Sequence, residues 1–570
     1  MKSPILGGFS TSRSTNASDN EIYNLYLGLI ETKDGKEPGA LYMTPGLDLL
    51  LTVGGGPIRA THELNSSLYV VSRTEVYQVT SLGVVTDLGS ITLGGSTPVS
   101  MFDNGRQVMI VDGTGAWVAP GGYPLTAGAV SAGGGLYVVN DTITLRPATG
   151  VSNAAVVITV TGVSSGAVTT FTVTTGGAVS DNTTATLSQT STSGSGSGFV
   201  LNTPTFGSFV GMVPIAVPFA NPIAGATSDG FGLLVFLHSQ NIAQSAELDL
   251  SVWDALAYGV ADQSPDKCIS IAVIHDEAYV LKERNTEVWV DAGLANFAFQ
   301  PLQGVHMEYG CVAPFSPAKG AEFLFWVSQN AEGQGMIVRA AGYQIVPIST
   351  QALMSELDTY PTLQDAIGYC YQQGGHVFYV LTFPTADKTW VYDLTTSELS
   401  GVPVWHRRAA FVNGMWHRHW GNSFSRWSGS PDQPNIGVVG DYQSGNLYTY
   451  NSNSGLDMGQ KRKWLRRWRA MQTPREMTTR MSSLRIDMET GSGVNNGDDP
   501  QMMLRWSDDG GHTWSDFRIL AAGKLGETAK YVRANRLGGT RRFARSDRIF
   551  ELSSADVFKV AIVGAELEAE

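Results

Sequence analysis

The fold class can be inferred from one segment, Leu68-Tyr69-Val70-Val71-Ser72-Arg73-Thr74-Glu75-Val76-Tyr77-Gln78-Val79. β-Branched and aromatic residues flank its short polar tip, which is the pattern of two strands joined by a turn. Residues 278–290 repeat this hairpin with two residues added to the turn, and looser copies start at residues 107, 322, 376 and 436. Most of these starts lie roughly 40 to 60 residues apart, the length of a four-stranded propeller blade. The repeat therefore predicts an all-β protein with a β-propeller of about seven blades.

The composition agrees with turn-rich β structure. The chain has 570 residues, of which 65 are glycine and only 16% are charged, whereas about a quarter are charged in an average domain. We infer that partners cover much of the outer face. No apolar run reaches the roughly 18 residues of a membrane span, and the N-terminus lacks the apolar core of a signal peptide. Cys268, Cys311 and Cys370 have no metal-type spacing, which predicts buried free thiols in a protein made in a reducing cytoplasm.

The formal net charge of −13 is unevenly distributed along the chain. Residues 460–570 hold 20 Lys or Arg against 15 Asp or Glu, a balance of +5, so the remainder holds 18 against 36, a balance of −18. An acidic body repels free nucleic acid over most of its surface, and a basic end can tolerate or contact it. This pattern argues against a protein that reads DNA sequence.

Changes in composition divide the chain into domains. Residues 1–46 are polar, with short strands that we assign to the N-terminal arm of a β platform. The first propeller blades are predicted at 47–127 and the remaining blades at 212–455. Residues 128–211 are almost uncharged, and their Val/Thr alternation predicts a small β domain inserted in a propeller loop; the alternative is a disordered low-complexity loop. Residues 456–570 are basic and aromatic and predict a C-terminal β domain of the platform.

Two interludes among the later blades are predicted to be helical. One covers Ala246 to Tyr258. The other covers Thr350 to Asp358 and continues from Leu363 to Tyr371.

Ser507-Asp508-Asp509-Gly510-Gly511-His512-Thr513-Trp514 fits the Asp-box pattern S-x-D-x-G-x-T-W. The side chains of Ser507 and Asp509 can accept hydrogen bonds from backbone N–H groups of a tight turn. Gly511 permits a positive φ, Thr513 completes the pattern, and Trp514 serves as the apolar anchor of the hairpin. Sialidases also contain Asp-boxes, but glycoside cleavage needs two carboxylates flanking the bond, and sialidases need an arginine cluster and several boxes. A single box favours a structural turn.

A histidine–aromatic cluster lies ahead of the C-terminal domain. Its members are His406, Trp416, His417, Arg418, His419 and Trp420. His417 and His419 would share one face of a strand and could bind a metal. No acidic or thiol ligand lies close in sequence, so packed or interfacial histidines are favoured, and no metal or cofactor is predicted.

Two basic segments mark the C-terminal domain. The first, which we call the basic segment, interleaves Trp464 and Trp468 with Lys461, Arg462, Lys463, Arg466, Arg467 and Arg469. Cations contact phosphates and aromatic rings stack on bases, so this run could face DNA; it could equally bind an acidic protein, for which arginine is well suited. The second group contains Arg533, Arg536, Arg541, Arg542, Arg545 and Arg548. The acidic body favours a protein interface, with a DNA-lined channel as the alternative.

The two ends of the sequence resemble a known family. Asn24-Leu25-Tyr26 and Ala40-Leu41-Tyr42-Met43-Thr44-Pro45-Gly46-Leu47 resemble the opening of the packaged-DNA stabilisation proteins of short-tailed bacteriophages, also called tail hub or nozzle proteins. The closing pattern of that family resembles Arg505 to Ser515, Gly523 to Glu527, Arg536-Leu537-Gly538, Arg548 to Leu552 and Val563-Gly564-Ala565. Between the two ends, only the spacing of the predicted blades agrees with that family. Residues 128–211 depart from the family pattern.

The resemblance implies a virion component without catalytic activity. A homohexameric ring below the portal adaptor would extend the DNA channel and help to retain the packaged genome until ejection. Implied partners are the adaptor, a tail fibre, spike or needle, and double-stranded DNA that passes without sequence-specific contact. An acidic lumen would let the genome slide. A closed ring needs a heterologous interface, in which one face meets a different face of the next copy.

Two other functions remain open from the sequence. The first is a propeller glycosidase, sialidase-like, acting on host surface sugars. The second is a carbohydrate- or receptor-binding tail module that uses residues 128–211.

Overall fold

The computed structural model describes residues 2–11, 18–30, 37–305, 307–330, 332–429, 435–469, 480–492, 498–539 and 548–569. These residues form mainly strands, with two short helices among them, α1 (Gln351–Leu357) and α2 (Leu394–Ser400). Thr350 and Asp393 cap the helices, because the side chain of each accepts a hydrogen bond from the backbone N–H three residues later.

The chain begins with strands that belong to the C-terminal domain. They are β1 (Lys2–Ser3), β2 (Ser10–Thr11), β3 (Asp19–Tyr23), β4 (Leu25–Leu29) and β5 (Gly39–Met43). The next strand, β6 (Gly46–Thr52), enters the propeller as part of its last blade.

Blades 1 and 2 follow as antiparallel sheets whose strands run from the axis to the rim in chain order. Blade 1 contains β7 (Ile58–Leu64), β8 (Ser67–Ser72), β9 (Glu75–Val79) and β10 (Val85–Ser90). Blade 2 contains β11 (Ser100–Asp103), β12 (Val108–Val111) and β13 (Ala116–Ala119), and its outer strand follows the inserted domain.

The inserted domain is a curled sheet between the third and fourth strands of blade 2. Its strands are β14 (Leu125–Gly135), β15 (Thr142–Pro147), β16 (Ser152–Ala154), β17 (Val156–Ser164), β18 (Ala167–Thr175), β19 (Ala178–Val179), β20 (Thr186–Thr192) and β21 (Ser197–Phe206). The main sheet has the order β14-β21-β20-β15-β17-β18, and its two end strands pack on each other around Ile143, Val156 and Leu201. β22 (Val213–Pro214) then completes blade 2.

Blades 3 to 5 are sheets of consecutive strands. Blade 3 contains β23 (Pro222–Ser228), β24 (Phe231–Phe236), β25 (Asn241–Ala246) and β26 (Asp249–Val260). Blade 4 contains β27 (Cys268–Ile274), β28 (Glu277–Lys282), β29 (Thr286–Asp291) and β30 (Phe299–Pro301). Blade 5 contains β31 (Ala318–Gly320), β32 (Phe323–Gln329), β33 (Gly335–Ala341) and β34 (Gln344–Pro347).

Blades 6 and 7 complete the propeller. Blade 6 contains β35 (Ile367–Gln373), β36 (His376–Phe383), β37 (Lys388–Asp393) and β38 (Trp405–Arg407), and a separate hairpin, β39 (Ala409–Val412) and β40 (Met415–Arg418), follows it. Blade 7 contains β41 (Gly421–Trp427), β42 (Ile436–Asp441) and β43 (Asn446–Asn451). Its outer strand is β6, which pairs antiparallel with β43. A strand from the N-terminal part of the chain therefore closes the last blade.

Within the described residues the propeller has seven blades. The first strands, β7, β11, β23, β27, β31, β35 and β41, each pack against the next, and β41 packs against β7, so the circle is closed. The structure thus confirms the predicted β-propeller, and β8–β9 correspond to the hairpin at residues 68–79.

The C-terminal domain is a sandwich of two sheets that uses both ends of the chain. After β44 (Leu456–Asp457) and β45 (Gln460–Lys461), its strands are β46 (Trp464–Arg469), β47 (Arg480–Met488), β48 (Gln501–Ser507), β49 (Arg518–Ala521), β50 (Val532–Gly539), β51 (Ile549–Ser554) and β52 (Ala561–Ala569). One sheet has the order β3-β46-β51-β48-β49 with β2 beside β3, and the other has the order β4-β5-β52-β47-β50 with β1 beside β52.

Blade 6 and the sandwich are physically continuous. β3 pairs parallel with β38 at Tyr23 and Arg407, so one sheet runs from the propeller axis into the sandwich. A single apolar core links the two, with Trp390 and Trp405 of blade 6 buried in the same cluster as Trp464 and Trp468 of the sandwich. A shared sheet and a shared core make the two domains one stiff unit.

The two predicted helical interludes have different outcomes. The helix near Thr350 to Asp358 is confirmed as α1. The helix predicted at Ala246 to Tyr258 is wrong, because most of this segment is strand β26. The predicted continuation from Leu363 to Tyr371 is also wrong, because its second half lies in strand β35.

Candidate functional site

The propeller axis holds a small cavity of about 260 Å³. It is lined by the first strands of the blades and includes one charged side chain among its described residues, that of Arg59. This guanidinium is buried and donates hydrogen bonds to the carbonyl oxygens of Thr97 (2.6 Å) and Arg73 (2.7 Å). The first strands of neighbouring blades pack directly on one another around this cavity, so the axis of a single copy leaves no opening as wide as a DNA duplex, whose major groove alone is about 12 Å wide.

A larger groove of about 780 Å³ lies between blades 6 and 7. Of the described residues that line it, Asp48 is the single carboxylate, and Lys319 and Arg426 are the cations. A glycosidase of the usual kind needs a pair of carboxylates across the scissile bond. The groove therefore does not present the arrangement that a sialidase-like function would need.

The Asp-box forms a closed hydrogen-bonded turn between β48 and β49. Ser507 Oγ accepts from the Gly511 N–H (2.8 Å), and Asp509 accepts from the N–H (2.8 Å) and hydroxyl (2.6 Å) of Thr513. The bonds from Thr513 and Ser507 hold the pKa of the Asp509 carboxyl well below its usual range. Gly511 has a φ of +93°, which an L side chain rarely adopts. The turn is locked by its own residues.

Beneath this turn, charged side chains form a ladder across four neighbouring strands. Arg467 on β46 lies 3.6 Å from Asp19 and 3.5 Å from Glu21 on β3, and it donates to Glu551 on β51 (2.9 Å). Glu551 also accepts from Arg505 on β48 (2.7 Å). Trp514 of the Asp-box covers the ladder, with the guanidinium groups of Arg467 and Arg505 at 5.0 Å and 4.6 Å from its ring centroid. Cation–π contacts of this kind stabilise the hairpin on the sheet.

The basic segment is largely used inside the chain. Arg462 and Arg466 are buried. Arg462 donates to the carbonyl oxygens of Thr44 and Pro45, and Arg466 Nε donates to the carbonyl oxygen of Ile5 (2.7 Å). These two guanidinium groups hold the N-terminal strands and do not face outward, which corrects the prediction of a surface role for them.

The other members of the basic segment lie nearer the surface. Lys461 is exposed and pairs with Asp556 (2.8 Å), and Lys463 lies 4.0 Å from the centroid of the Phe411 ring. Arg467 and Arg469 are half-buried. Trp464 and Trp468 are fully buried and cannot stack on bases in this fold. Contact of Lys461, Lys463, Arg467 and Arg469 with DNA or a partner stays a prediction.

The members of the second basic group lie in different environments. Arg548 is buried and forms a bidentate ion pair with Asp508 of the Asp-box turn (2.6 and 2.8 Å). Arg533 pairs with Glu568 (2.7 Å), and Arg536 is exposed. Arg541, Arg542 and Arg545 lie outside the described residues.

Two neighbours in the basic segment allow a matched test. Arg462 also lies 3.5 Å from the buried carboxylate of Asp457. Arg462→Ala leaves this carboxylate and the carbonyls of Thr44 and Pro45 without their cation, so we expect the free energy of unfolding to fall by about 2–4 kcal/mol. Lys461→Ala removes an exposed ion pair and should cost less than about 1 kcal/mol. Urea unfolding followed by tryptophan fluorescence measures both. Equal losses from the two variants would contradict the internal role of Arg462.

The histidine cluster is packed inside the protein. His406 and His419 are buried, and His417 pairs with Asp387 (2.8 Å). Burial lowers the pKa of His406 to about 3 and lowers that of His419 well below its ordinary value. Among the described residues, no group of His, Cys, Asp and Glu is placed to hold a metal ion. The favoured interpretation of packed histidines fits this geometry.

The buried histidine predicts a specific loss of stability in acid. The pKa of His406 is lower in the folded protein than its ordinary 6.5, because burial disfavours the charged imidazolium. The contribution of this neutral side chain to the free energy of unfolding is therefore complete above about pH 6.5 and is lost as the pH falls towards 3. This residue alone should lower the free energy of unfolding by at most about 1.4 kcal/mol for each pH unit. A His406→Phe variant should lose less stability in acid than the wild type. Urea unfolding at a series of pH values measures this, with the free energy of unfolding of each protein compared with its own value near neutral pH. Parallel curves for the two proteins would contradict the assignment.

Two surface features were missed by the sequence analysis. One is the outer strand of blade 3, where Val252, Asp254, Leu256, Tyr258 and Val260 are exposed at every second position. The other surrounds β49, where Phe517, Ile519 and Tyr531 are exposed. The period-two pattern of the first segment was the signal that could have identified a strand.

The remaining chemical features are simple. Cys268, Cys311 and Cys370 are free thiols, and burial raises the pKa of each. In the described part of the chain, neither helix has the length and apolar character that crossing a membrane requires.

Comparison with protein families identifies the class of protein. Residues 230–454 match the family model described as the β-propeller of bacteriophage P22 Gp10, and residues 456–570 match the model described as its β-sandwich. The propeller and sandwich thus define a structural protein of the phage virion. The chain belongs to the P22 Gp10 family of packaged-DNA stabilisation proteins. The matched segments begin at residue 230, so blades 1 and 2 and the inserted domain lie outside them.

Comparisons with other proteins add only distant likenesses. No curated protein matches the chain. The N-terminal domain of Nup159 is 9% identical, with a TM-score of 0.35, and the match covers 75% of this chain and 98% of that one. The Neurospora crassa Pan2 WD40 domain is 7% identical, with a TM-score of 0.32 and coverages of 70% and 89%. Saccharomyces cerevisiae Sqt1 is 9% identical, with a TM-score of 0.31 and coverages of 72% and 99%. These values support no inference about function.

Proposed function

We propose that the chain is the ring-forming nozzle, or tail hub, subunit of a short phage tail. A hexamer lies below the portal adaptor, extends the DNA channel and helps to retain the packaged genome until ejection. The supporting observations are membership of a packaged-DNA stabilisation family and the stiff union of propeller and sandwich. The partners are further copies of the chain, the adaptor, and a tail fibre, spike or needle.

The observation that carries this proposal is the closed axis of the propeller. Its cavity of about 260 Å³ cannot admit a duplex, so a DNA channel must be enclosed by several copies. A wall element also has to resist deformation, and the shared sheet of blade 6 and the sandwich supplies that stiffness. The acidic body would repel the phosphates, so that the duplex slides without sequence-specific contact.

A phage with a nonsense codon in this gene tests the function. Heads should fill with DNA at the normal rate and then lose it, which is measured as nuclease-sensitive DNA after packaging. Adding the purified protein to DNA-filled heads that carry portal and adaptor should restore retention. Heads that keep their DNA without the protein would contradict the proposal.

The receptor-binding alternative concerns the inserted domain. Residues 128–211 lie outside the family match, and the tip of this domain exposes Leu136, Val138 and Val139. Deleting the insert while keeping a short linker should leave assembly unchanged under the nozzle proposal. Loss of adsorption alone would assign receptor binding to the insert. Hydrolysis of host surface sugars by the purified protein would instead support the glycosidase.

A further inference from the structure

We propose that neighbouring copies join through two edge strands of opposite charge, β26 on blade 3 of one copy and β49 on the sandwich of the next. This inference rests on the proposed ring and names the surfaces that close it. We call residues 246–262 the acidic edge and residues 516–539 the basic edge.

From Val252 to Val260 the acidic edge is an open strand with apolar side chains, and its pairing with β25 is interrupted between Trp253 and Tyr258. The start of the strand lies against the inserted domain, where Ser251 Oγ accepts a hydrogen bond from the Ala155 N–H (2.9 Å). β26 is the outermost strand of blade 3, and no strand in the described part of the chain pairs with its outer side. Leu256 is 74% exposed, and Val252, Tyr258 and Val260 are exposed with it. Residues 246–262 contain four acidic residues and no Lys or Arg. An apolar edge strand without protective lysines favours pairing with another chain.

The basic edge has the complementary character. β49 is the last strand of its sheet, and Tyr531, which is 70% exposed, precedes β50 beside it. Phe517, Ile519 and Leu525 are exposed in the same segment. Residues 516–539 contain five Lys or Arg and two Asp or Glu. Lys530 and Arg533 pair with carboxylates of the same chain, so Arg518, Lys524 and Arg536 supply the positive charge of this edge. The guanidinium of Arg505 lies 4.9 Å from the centroid of the Phe517 ring. The guanidinium of Arg485 lies 4.4 Å from the centroid of the Tyr531 ring.

The two edges lie on nearly opposite sides of one copy. The sandwich is joined to blade 6 through β3 and β38, whereas the acidic edge is on blade 3, three positions away in a circle of seven described blades. One copy therefore cannot cover its own edges. Because the two surfaces differ, each copy binds the next in a head-to-tail manner, which gives a closed ring when the rotation between copies is suitable.

The occupant of each edge is a second copy of this chain because both complementary halves are present on it. Edge-to-edge pairing would satisfy the open backbone N–H and C=O groups and bury the apolar side chains of both strands. The opposite charges would suppress acidic-to-acidic and basic-to-basic contacts, which excludes a symmetric dimer and sets the direction of assembly.

Cysteine cross-linking in assembled phage tails tests the contact. Particles carrying the double variant Leu256→Cys with Ile519→Cys are treated with a short bis-maleimide. We expect a ladder of cross-linked species that ends at the closed ring. Each single variant should remain monomeric, which also controls for Cys370, the half-buried native thiol. The pair Tyr343→Cys with Ile519→Cys, which places the first thiol on an exposed residue of blade 5, should give no ladder.

The possible results separate this inference from the proposed function. Tails that contain the protein but give no ladder from the double variant, or that give dimers from a single variant, overturn the edge-to-edge contact and leave the nozzle function standing. Absence of the protein from wild-type tails overturns the nozzle function and, with it, this inference.

A charge exchange provides an independent readout on the purified protein. Asp254→Lys or Arg536→Glu alone should raise the concentration needed for half-maximal ring assembly by about tenfold, and the double variant should recover most of that loss. Analytical ultracentrifugation over a concentration series measures the shift. The control, Glu322→Lys, makes the same charge change at an exposed site on blade 5 and should have no effect. Single variants that assemble like wild type, or a double variant without recovery, would overturn the inference.

Discussion

Leu47→Asp is expected to open the propeller and to lower the free energy of unfolding by about 4 kcal/mol or more. Leu47 lies on β6, the strand that completes blade 7, and it is fully buried with Val439 and Tyr448. Its backbone N–H donates to the buried Asp457 carboxylate (3.2 Å). A new carboxylate at this position would be desolvated beside a like charge, and closure of the ring would be lost.

Leu49→Asp is the matched control on the same strand. Leu49 is 59% exposed, so its carboxylate would stay in water, and the expected change is within about 0.5 kcal/mol. Chemical unfolding of the purified variants, together with limited proteolysis after residue 52, measures the difference. If both variants lose the same stability, β6 does not close the propeller.

Glu551→Ala is expected to lower the free energy of unfolding by about 3–5 kcal/mol. This buried carboxylate joins Arg467 and Arg505 in the charged ladder under the Asp-box. Removing the Glu551 carboxylate leaves the guanidinium groups of Arg467 and Arg505 without the anion that they share. The cation–π contacts of these two arginines with Trp514 are weakened as a result.

Glu568→Ala provides the comparison for this prediction. Glu568 pairs with Arg533 at the surface, with side-chain exposures of 60% and 49%. We expect no measurable change in the urea midpoint, since exposed ion pairs contribute little. An unaffected Glu551→Ala variant would show that the ladder does not support the sandwich.

The central hairpins of the blades could be predicted from sequence because their signal is local. In β8–β9 and β28–β29, β-branched and aromatic residues border a polar turn, and each hairpin folds on its neighbours in sequence. Their spacing then gave the approximate number of blades. The Asp-box was equally visible, since Ser507, Asp509 and Thr513 bond to one another within a few residues.

Long-range pairing could not be predicted in the same way. The pairing of β6 with β43 joins residues about 400 positions apart, and no local pattern encodes it. Arg462 and Arg466 read as surface cations, yet they are buried because the N-terminal strands bring backbone carbonyls to them. For β26, the segment Ala246 to Tyr258 was predicted as a helix, although its period-two pattern is typical of a strand, and its position at the edge of blade 3 depends on long-range pairing.

A cryo-electron microscopy map of the isolated tail would show whether these subunits enclose the DNA channel. We expect a ring of these subunits below the adaptor, with the DNA channel enclosed between copies and with β26 of each copy against β49 of the next. Duplex density through the axis of a single propeller, or a tail in which this protein is absent from the ring, would contradict it.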